Sequence, residues 1–379
     1  MAASQKKRLR IGILFGGRSG EHEVSLASAA SVIRALDPEK YEAVPIGITK
    51  DGRWLVGTKA QKLLGDVLKS GNRVLLPADP SAASLVPLGA GAGQPSVSVD
   101  VMFPVLHGTF GEDGTVQGLI ELAGLPYVGA GVLASAVGMD KDVQKRLFEQ
   151  AGLPVVPFLA LRRSEWEKNR SEVTEAIVKK FKFPVFVKPA AAGSSVGMTR
   201  VTGADELAAA MDFAGQFGIK IIVERGVNAR EIEVSVLGND EVKASIPGEI
   251  VPHREFYDYK AKYLEQGTQL VIPAELSEKQ VKTFQEMAVA SFRAIDGTGM
   301  ARCDFFLERK TGKIFVNELN TIPGFTAISM YPKLWEASGL PYSKLIDQLI
   351  TLAIELHREK ARTKYSIDLP KGSGGALDA

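Results

Sequence analysis

Four polar side chains near the C-terminal end alternate with apolar neighbours in two short runs. These are Ala301-Arg302-Cys303-Asp304-Phe305-Phe306-Leu307 and Ile314-Phe315-Val316-Asn317-Glu318-Leu319-Asn320. Both are rich in aromatic and apolar residues and are predicted to be β-strands. Lys310-Thr311-Gly312 lies between them and suits a three-residue hairpin loop with glycine in the left-handed position. Residues two apart in a strand share a face, so Arg302 points with Asp304, and Glu318 with Asn320. Counting back from the loop sets Asp304 opposite Glu318 and Arg302 opposite Asn320, give or take a bulge. Two carboxylates, an amide and a guanidinium then gather on one patch of an otherwise apolar sheet. Burying such groups unpaired is costly. A hard divalent cation bridging phosphate oxygens offsets that cost, because Mg²⁺ takes a few carboxylates plus substrate phosphates. The alternative is a salt bridge on a half-exposed sheet. The turn Thr321-Ile322-Pro323-Gly324-Phe325-Thr326, directly after the second strand, favours a metal–phosphate site, since sites are commonly built on such turns.

Further loops carry candidate chemistry. Gly16-Gly17-Arg18-Ser19-Gly20 follows a first strand and opens a helix, where glycines let backbone N–H groups approach a ligand at a positive helix end. The dinucleotide spacing G-x-G-x-x-G is absent, and no acidic residue closes the second strand. Glu21, in that loop or the first helical turn, fits either a partner for a substrate ammonium or a carboxylate that stabilises the helix start. Gly193-Ser194-Ser195-Val196-Gly197 follows a strand ending in Lys188-Pro189. Small residues with hydroxyls and a nearby lysine suit a phosphate cover, and a flexible hairpin without ligand is the alternative. It is not a Walker A loop. His107, at the head of a Gly-rich loop, could orient substrate or phosphate, or be a hydrogen-bonded structural residue. Phe256-Tyr257-Asp258-Tyr259-Lys260-Ala261-Lys262-Tyr263 reads as a lid whose Lys262 meets phosphate and whose Tyr263 closes over substrate.

The elements that must position these residues fill a chain of 379 residues, long enough for two or three domains. Its 46 basic and 44 acidic residues imply no polyanion partner, and no broad basic patch supports nucleic acid. No apolar run approaches a membrane span. The basic cluster Lys6-Lys7-Arg8-Arg10 could mimic the start of a signal peptide, but the apolar stretch behind it is too short and is broken by Gly16-Gly17-Arg18. A lone cysteine, Cys303, excludes an internal disulfide, suits a reducing cytoplasm, and falls on the core face of its strand.

Residues 9–136 alternate strands (9–15, 42–48, 100–106) with helices (24–36, 116–122), which argues for a parallel sheet. Pro77 to Ser98, rich in small residues, reads as a dispensable surface excursion. Residues 137–226 read as helix 140–150, strand 155–160, helix 165–180, strand 183–188, helix 204–214 and strand 220–224. Residues 227–379 hold long strands, the helix 278–292, the hairpin and a terminal helix near 343–359.

Taken together, these segments resemble the ATP-grasp superfamily and, within it, the D-alanyl-D-alanine ligase family. The likeness runs from about Ile11 to the final helix. It rests on Phe15-Gly-Gly-Arg-Ser-Gly-Glu-His-Glu-Val-Ser25-Leu26, Leu106-His-Gly-Thr-Phe-Gly-Glu-Asp-Gly114, Met139-Asp-Lys141, Val187-Lys-Pro-Ala-Ala-Ala-Gly-Ser-Ser-Val-Gly-Met198, the 256–263 run, the hairpin and Pro323-Gly324-Phe325-Thr326.

The resemblance implies a three-domain α/β and α+β fold. An N-terminal parallel α/β substrate domain would span 1–136, a central ATP-grasp domain 137–226 and a C-terminal catalytic domain 227–379, with nucleotide held between the two β-rich units. It implies a cytoplasmic, homodimeric enzyme of peptidoglycan precursor synthesis, with ATP as co-substrate, Mg²⁺ (or Mn²⁺) as cofactor and no nucleic-acid or membrane partner. ATP would phosphorylate the carboxylate of one D-alanine, and the amine of a second would attack the acyl phosphate.

By the same resemblance Asp304, Glu318 and Asn320 are metal ligands, and Arg302 with the backbone N–H of Gly324 forms the oxyanion hole. Lys141, Lys188 and Lys262 meet the ATP phosphates. Glu224, Arg225, Val227 and Glu231 serve the adenosine. Glu21 binds the first substrate's ammonium, Ser194 and Tyr263 hydrogen-bond with Glu21, and His107, Ser329 and Met330 lie near the second D-alanine. The chain departs from the family pattern at Ala229-Arg230, at Ala190-Ala191-Ala192 and in a longer 77–98 stretch. Family members that make D-alanyl-D-lactate lack the tyrosine at the position of Tyr263, which argues for the dipeptide product. Another ATP-grasp carboxylate–amine ligase is a more distant alternative, and a non-catalytic nucleotide-binding regulator is disfavoured by the intact polar hairpin.

Overall fold

The computed structural model describes residues 7–57, 64–89, 95–193, 196–251, 269–326 and 328–366. Three sheets follow one another along the chain. The first takes β1 (Leu9–Gly16), β2 (Tyr41–Ile48), β3 (Trp54–Val56), β4 (Asn72–Leu75), β5 (Ser84–Pro87), β6 (Val97–Ser98) and β7 (Val101–Pro104), in the order β6-β5-β4-β3-β2-β1-β7. Its helices are α1 (His22–Ala35), α2 (Leu64–Ser70), α3 (Thr115–Leu122) and α4 (Val132–Met139), and α5 (Lys141–Gln150) leads out of it. The expected parallel sheet is only partly realised. β1 pairs β2 and β7 in parallel, whereas β2 to β6 are joined antiparallel. The run 77–98 is likewise no mere excursion: β5 and β6 extend the sheet edge, and Leu85 is fully buried against Val74 and Leu76.

The central strand β1 is buried on six consecutive residues because both faces are covered. Ile11, Ile13 and Phe15 meet Ala29 and Val32 of α1, and Leu14 faces the cluster that holds Val116 and Ile120 of α3.

The second sheet contains β8 (Phe158–Arg162), β9 (Val185–Pro189), β10 (Thr199–Val201) and β11 (Lys220–Arg225), all antiparallel, with α6 (Arg163–Lys168), α7 (Arg170–Lys180) and α8 (Leu207–Gly215). The helix expected over 165–180 breaks at Asn169, whose ψ of 42° is not helical. The break lets Trp166 be anchored by its indole N–H to Asp212 while Val173 and Ile177 of α7 face the same core. The strand expected over 155–160 is divided. Val155 bridges Val316 in the third sheet, and only from Phe158 does the chain join the second.

The third sheet contains β12 (Ala229–Gly238), β13 (Lys243–Ala244), β14 (Gly248–Val251), β15 (Gln269–Val271), β16 (Gly299–Glu308) and β17 (Ile314–Asn320). It is backed by α9 (Glu278–Ala294), and α10 (Met330–Ala337) and α11 (Tyr342–Lys360) follow the hairpin. On one face Ile232, Val234 and Val236 of β12 and Ala301, Cys303, Phe305 and Leu307 of β16 pack on Phe284, Ala288 and Phe292 of α9. Cys303 is thus a core residue, and burial pushes its thiol pKa up. The opposite face carries the polar residues. Helix α11 crosses back to the first sheet, where Leu345, Ile346, Leu349 and Ile350 share a core with β1 and β7. No helix among the described residues is long and apolar enough to cross a membrane.

Candidate active site

The hairpin β16–β17 sets Asp304 opposite Glu318 and Arg302 opposite Asn320, as the spacing predicts. Two irregularities that offset each other produce this register. The closing hydrogen bonds join Glu308 to Lys313 and Gly312, so the turn is one residue longer than expected, with Gly312 left-handed at φ 69°. Near the turn Phe305 faces Val316, but between Phe305 and Asp304 the register shifts, because Asn317 is an extra residue in β17. A one-residue slip moves side chains to the other face. The bulge therefore returns Glu318 and Asn320 to the side of Asp304 and Arg302.

On that face the charges are paired. Arg302 grips Asp304 through two contacts of 2.7 Å and lies 3.0 Å from Glu233 of β12, while the Asn320 amide donates to Asp304 at 3.0 Å. Burial alone would lower the Arg302 pKa, but the carboxylates of Asp304 and Glu233 outweigh it and raise it well above its ordinary value. Lys141 Nζ sits 2.9 Å from Glu318 and donates to the Ala192 carbonyl at 3.0 Å. It stands at the start of α5, whose N-terminus Asp140 caps by accepting from the N–H groups of Asp142 and Val143. Gln144 of the same helix accepts from Leu319 N–H, locking α5 to β17 and Lys141 to Glu318.

One turn along α5, Lys145 is fully buried beside Glu224, and Lys188 reaches the other oxygen of Glu224 at 2.8 Å. Burial alone would raise the Glu224 pKa; the two lysines reverse that and hold it at about 2. Burial pulls the Lys145 pKa down.

Two loops of the first sheet face this patch. Glu21 stands at the start of α1, but its carboxylate does not cap the helix. It lies instead against Gly108 and Gly193: a Cβ built at either glycine would come within 2.8 and 3.0 Å of it. The N–H groups of Gly16 and Gly17 are not offered to a ligand, contrary to the sequence expectation. Gly16 donates to Ser25 Oγ and Gly17 to the Ile48 carbonyl.

His107 is buried, and burial lowers its pKa, so at neutral pH the ring is neutral. Its Nδ1 meets the Ile322 carbonyl and its Nε2 meets Ser28 Oγ. The carbonyl can only accept, so Nδ1 carries the proton and Nε2 accepts from Ser28, whose oxygen takes the Phe325 N–H. His107 and Ser28 thereby fix the turn that carries Gly324. Beside them burial and the neighbouring Glu21 push the Glu112 pKa up to about 8, while its carboxyl accepts from Gly108 N–H.

Glu21, His107, Glu112, Lys141, Gly193, Arg302, Glu318, Asn320 and Gly324 line one cavity. Lys188 and Glu224 extend the site through Lys145, and Asp304 through Arg302. A larger groove of about 980 Å³ lies elsewhere, against α9 and Trp335, and contains none of these residues.

The remaining candidates lie around the rim or outside the described residues. Arg225, at the end of β11, reaches Glu308 at 3.4 Å and covers the Phe315 ring. Val227 lies in the link to β12, and Glu231 on β12 faces Phe306. Ser329 accepts from Thr326 N–H ahead of α10, and Met330 packs on Ile250 and Leu334. Ser194, Lys262 and Tyr263 lie outside the described residues. Sequence reasoning missed Glu233, Lys145, Ser28 and Glu112. For Glu233 a signal existed: Glu231, Glu233 and Ser235 alternate with Ile232, Val234 and Val236, so they share the face of Arg302.

Among the described residues no three His, Cys, Asp or Glu side chains form a ready metal cage. The donor set still fits Mg²⁺, which needs few protein ligands when phosphate supplies the others. Asp304, Glu318 and the amide oxygen of Asn320 are oxygen donors on one face.

Comparison with known proteins shows the family and the fold. A family model described as D-ala D-ala ligase N-terminus matches residues 10–130, and one described as D-ala D-ala ligase C-terminus matches residues 147–351. The chain is 52% identical to a D-alanine–D-alanine ligase of Heliobacterium modesticaldum over 93% of its own length and 96% of that protein's. It is 49% identical to one of Bacillus cytotoxicus, over 95% and 99%. Among solved structures, the D-alanine-D-alanine ligase of Coxiella burnetii superposes with a TM-score of 0.81 at 38% identity, covering 93% of this chain and 96% of that one. The VanG D-Ala:D-Ser ligase of Enterococcus faecalis does so with 0.82 at 37% identity, covering 92% and 100%.

Proposed function

The chain belongs to the D-alanine–D-alanine ligase family, and from that premise we propose that it joins two D-alanines into D-alanyl-D-alanine at the expense of ATP, through an acyl phosphate, for peptidoglycan precursors. The observation that carries this reading is the gathering of Arg302, Asp304, Glu318 and Asn320 on one sheet face beside Lys141, in a cavity shared with Glu21.

A carboxylate oxygen is a poor leaving group and phosphate a far better one, so ATP must first activate one substrate. Glu21 is suited to the ammonium of that first D-alanine. Lys141 and Lys188, with Lys262, are suited to the phosphates; Glu318 beside Lys141 raises the pKa of that lysine, and Lys188 is paired with Glu224. Asp304, Glu318 and Asn320 are the groups that would hold Mg²⁺ or Mn²⁺, which when bound neutralises phosphate charge and favours transfer of the γ-phosphoryl group. The guanidinium of Arg302 and the backbone N–H of Gly324 would stabilise the oxyanion formed when the second amine attacks. His107, acting through the turn it fixes, with Ser329 and Met330, would shape the second D-alanine site, while Ser194 and Tyr263 would hydrogen-bond with Glu21 to close the lid. Glu224, Arg225, Val227 and Glu231 would form the adenosine side.

This reading takes residues 1–136, 137–226 and 227–379 as three domains, each built on one of the three sheets, in a cytoplasmic homodimer. Product analysis after incubation with ATP, Mg²⁺ and D-alanine tests it. D-alanyl-D-alanine and stoichiometric phosphate are expected, and phosphate release indifferent to D-alanine would overturn it. The likeness to a D-Ala:D-Ser ligase makes D-serine a necessary second arm, beside D-lactate across pH. Preferential formation of the mixed dipeptide or the ester at neutral pH would replace the D-alanine assignment at the second site.

A further inference from the structure

The antiparallel pairings of β12, β16 and β17 set three carboxylates abreast, Glu233 beside Asp304 and Asp304 beside Glu318. Neighbouring strands lie about 4.8 Å apart, so this row repels itself unless cations divide it. Two cations do so. Lys141 takes Glu318 at 2.9 Å, and Arg302 takes both Asp304 and Glu233. Asp304 thus has two demands on it: it is the bidentate partner of Arg302, and it is a proposed ligand of the divalent cation. A guanidinium that loses its only carboxylate inside a protein is left uncompensated, which is strongly unfavourable. With Asp304 as sole partner, Arg302 would hold Asp304 away from the cation or be left unpaired when Asp304 turned towards it.

Glu233 removes that conflict. It is 5% exposed, lies on the far side of Asp304 from Glu318, and is 3.0 Å from Arg302 Nε. We propose that Glu233 is a positioning residue, the standing counter-ion that keeps Arg302 paired and aimed into the cleft when Asp304 is shared with the cation. In this role it touches neither substrate nor metal and acts through Arg302. The proposal rests on the reading of Asp304 as a metal ligand and Arg302 as the oxyanion group.

The test measures Mn²⁺ binding to the full chain in the presence of ADP, without turnover, by the electron paramagnetic resonance of free Mn²⁺, together with steady-state kinetics. Substituting a partner that orients the groups around a metal commonly costs about 10- to 100-fold in metal affinity or activity. Glu233→Gln, isosteric but neutral, should weaken Mn²⁺ binding by about tenfold and lower kcat, with the KM for D-alanine changed little. Glu233→Asp, which keeps the charge, should recover part of both and guards against a loss due to folding alone. A purely structural role would lower Tm while leaving Mn²⁺ affinity unmoved, and that outcome overturns the proposal. Asp304→Asn separates the two layers. If it weakens Mn²⁺ binding and Glu233→Gln does not, the proposal alone falls; if Asp304→Asn binds Mn²⁺ as the parent does, the metal reading is wrong and the proposal falls with it.

Discussion

The chemistry is concentrated in charged side chains that the fold buries and pairs before any ligand arrives. Glu318 illustrates the consequence. Its carboxylate is balanced by Lys141 and stands opposite Asp304, so Glu318→Gln removes a proposed metal ligand while keeping the shape of the side chain. Turnover at limiting Mg²⁺ should fall by about 10²-fold or more, with Tm shifted only slightly; an unchanged Mg²⁺ dependence would take Glu318 out of the metal site. Glu224 gives a pH signature. Its folded pKa of about 2 lies below the ordinary 4.5, so its contribution is fully present above pH 4.5 and is lost as pH falls through about 2. The amount is on the order of 3 kcal/mol. Thermal unfolding between pH 6 and pH 3 should therefore show wild type losing stability more steeply than Glu224→Gln, and parallel curves would refute the assignment. The polar hairpin was legible because its charged residues break an apolar alternation. Lys145 and Ser28 were not, because a lysine or serine on an amphipathic helix reads as solvent face until the partner strands are in place.

At the scale of elements, the hairpin shows what pattern can and cannot specify. The alternation in β16 and β17 states which residues must share a face, and that requirement held. It says nothing about how the face is reached, and the chain uses a longer turn and a bulge at Asn317 where a shorter turn and a regular strand would have served. The same limit explains the mixed first sheet. Parallel pairing was inferred from βα alternation, but the short strands β3 to β6 pair antiparallel in succession. Helix α9 supports the polar sheet from behind, and its start is fixed by a capping box. Ser277 Oγ accepts from Gln280 N–H, and Gln280 accepts from Ser277 N–H. Ser277→Ala should cost about 1 kcal/mol, seen as a lowered denaturant midpoint at unchanged slope, with activity at low temperature preserved. A loss of activity without loss of stability would mean that the cap serves the site and not the helix.

At the scale of the whole molecule, the site belongs to no single sheet. Glu21 and His107 come from loops of the first, Lys188 and Glu224 from the second, and Arg302, Asp304, Glu318 and Asn320 from the third, with Lys141 at the join of α4 and α5. A ligand that touches the second and third sheets together binds the folded arrangement and not the unfolded chain, so it must stabilise that arrangement by mass action. At 100 times its dissociation constant the gain is about 2.7 kcal/mol. ADP with Mg²⁺ should therefore raise Tm clearly more than ADP alone, because in the proposed site the cation would tie nucleotide phosphate to Asp304 and Glu318. Glu318→Gln should keep the increment given by ADP alone and lose the part that depends on Mg²⁺. If Mg²⁺ adds nothing to the wild-type increment, the carboxylates of the third sheet do not meet the nucleotide through a metal. If Glu318→Gln retains the whole of it, the cation is held by other groups.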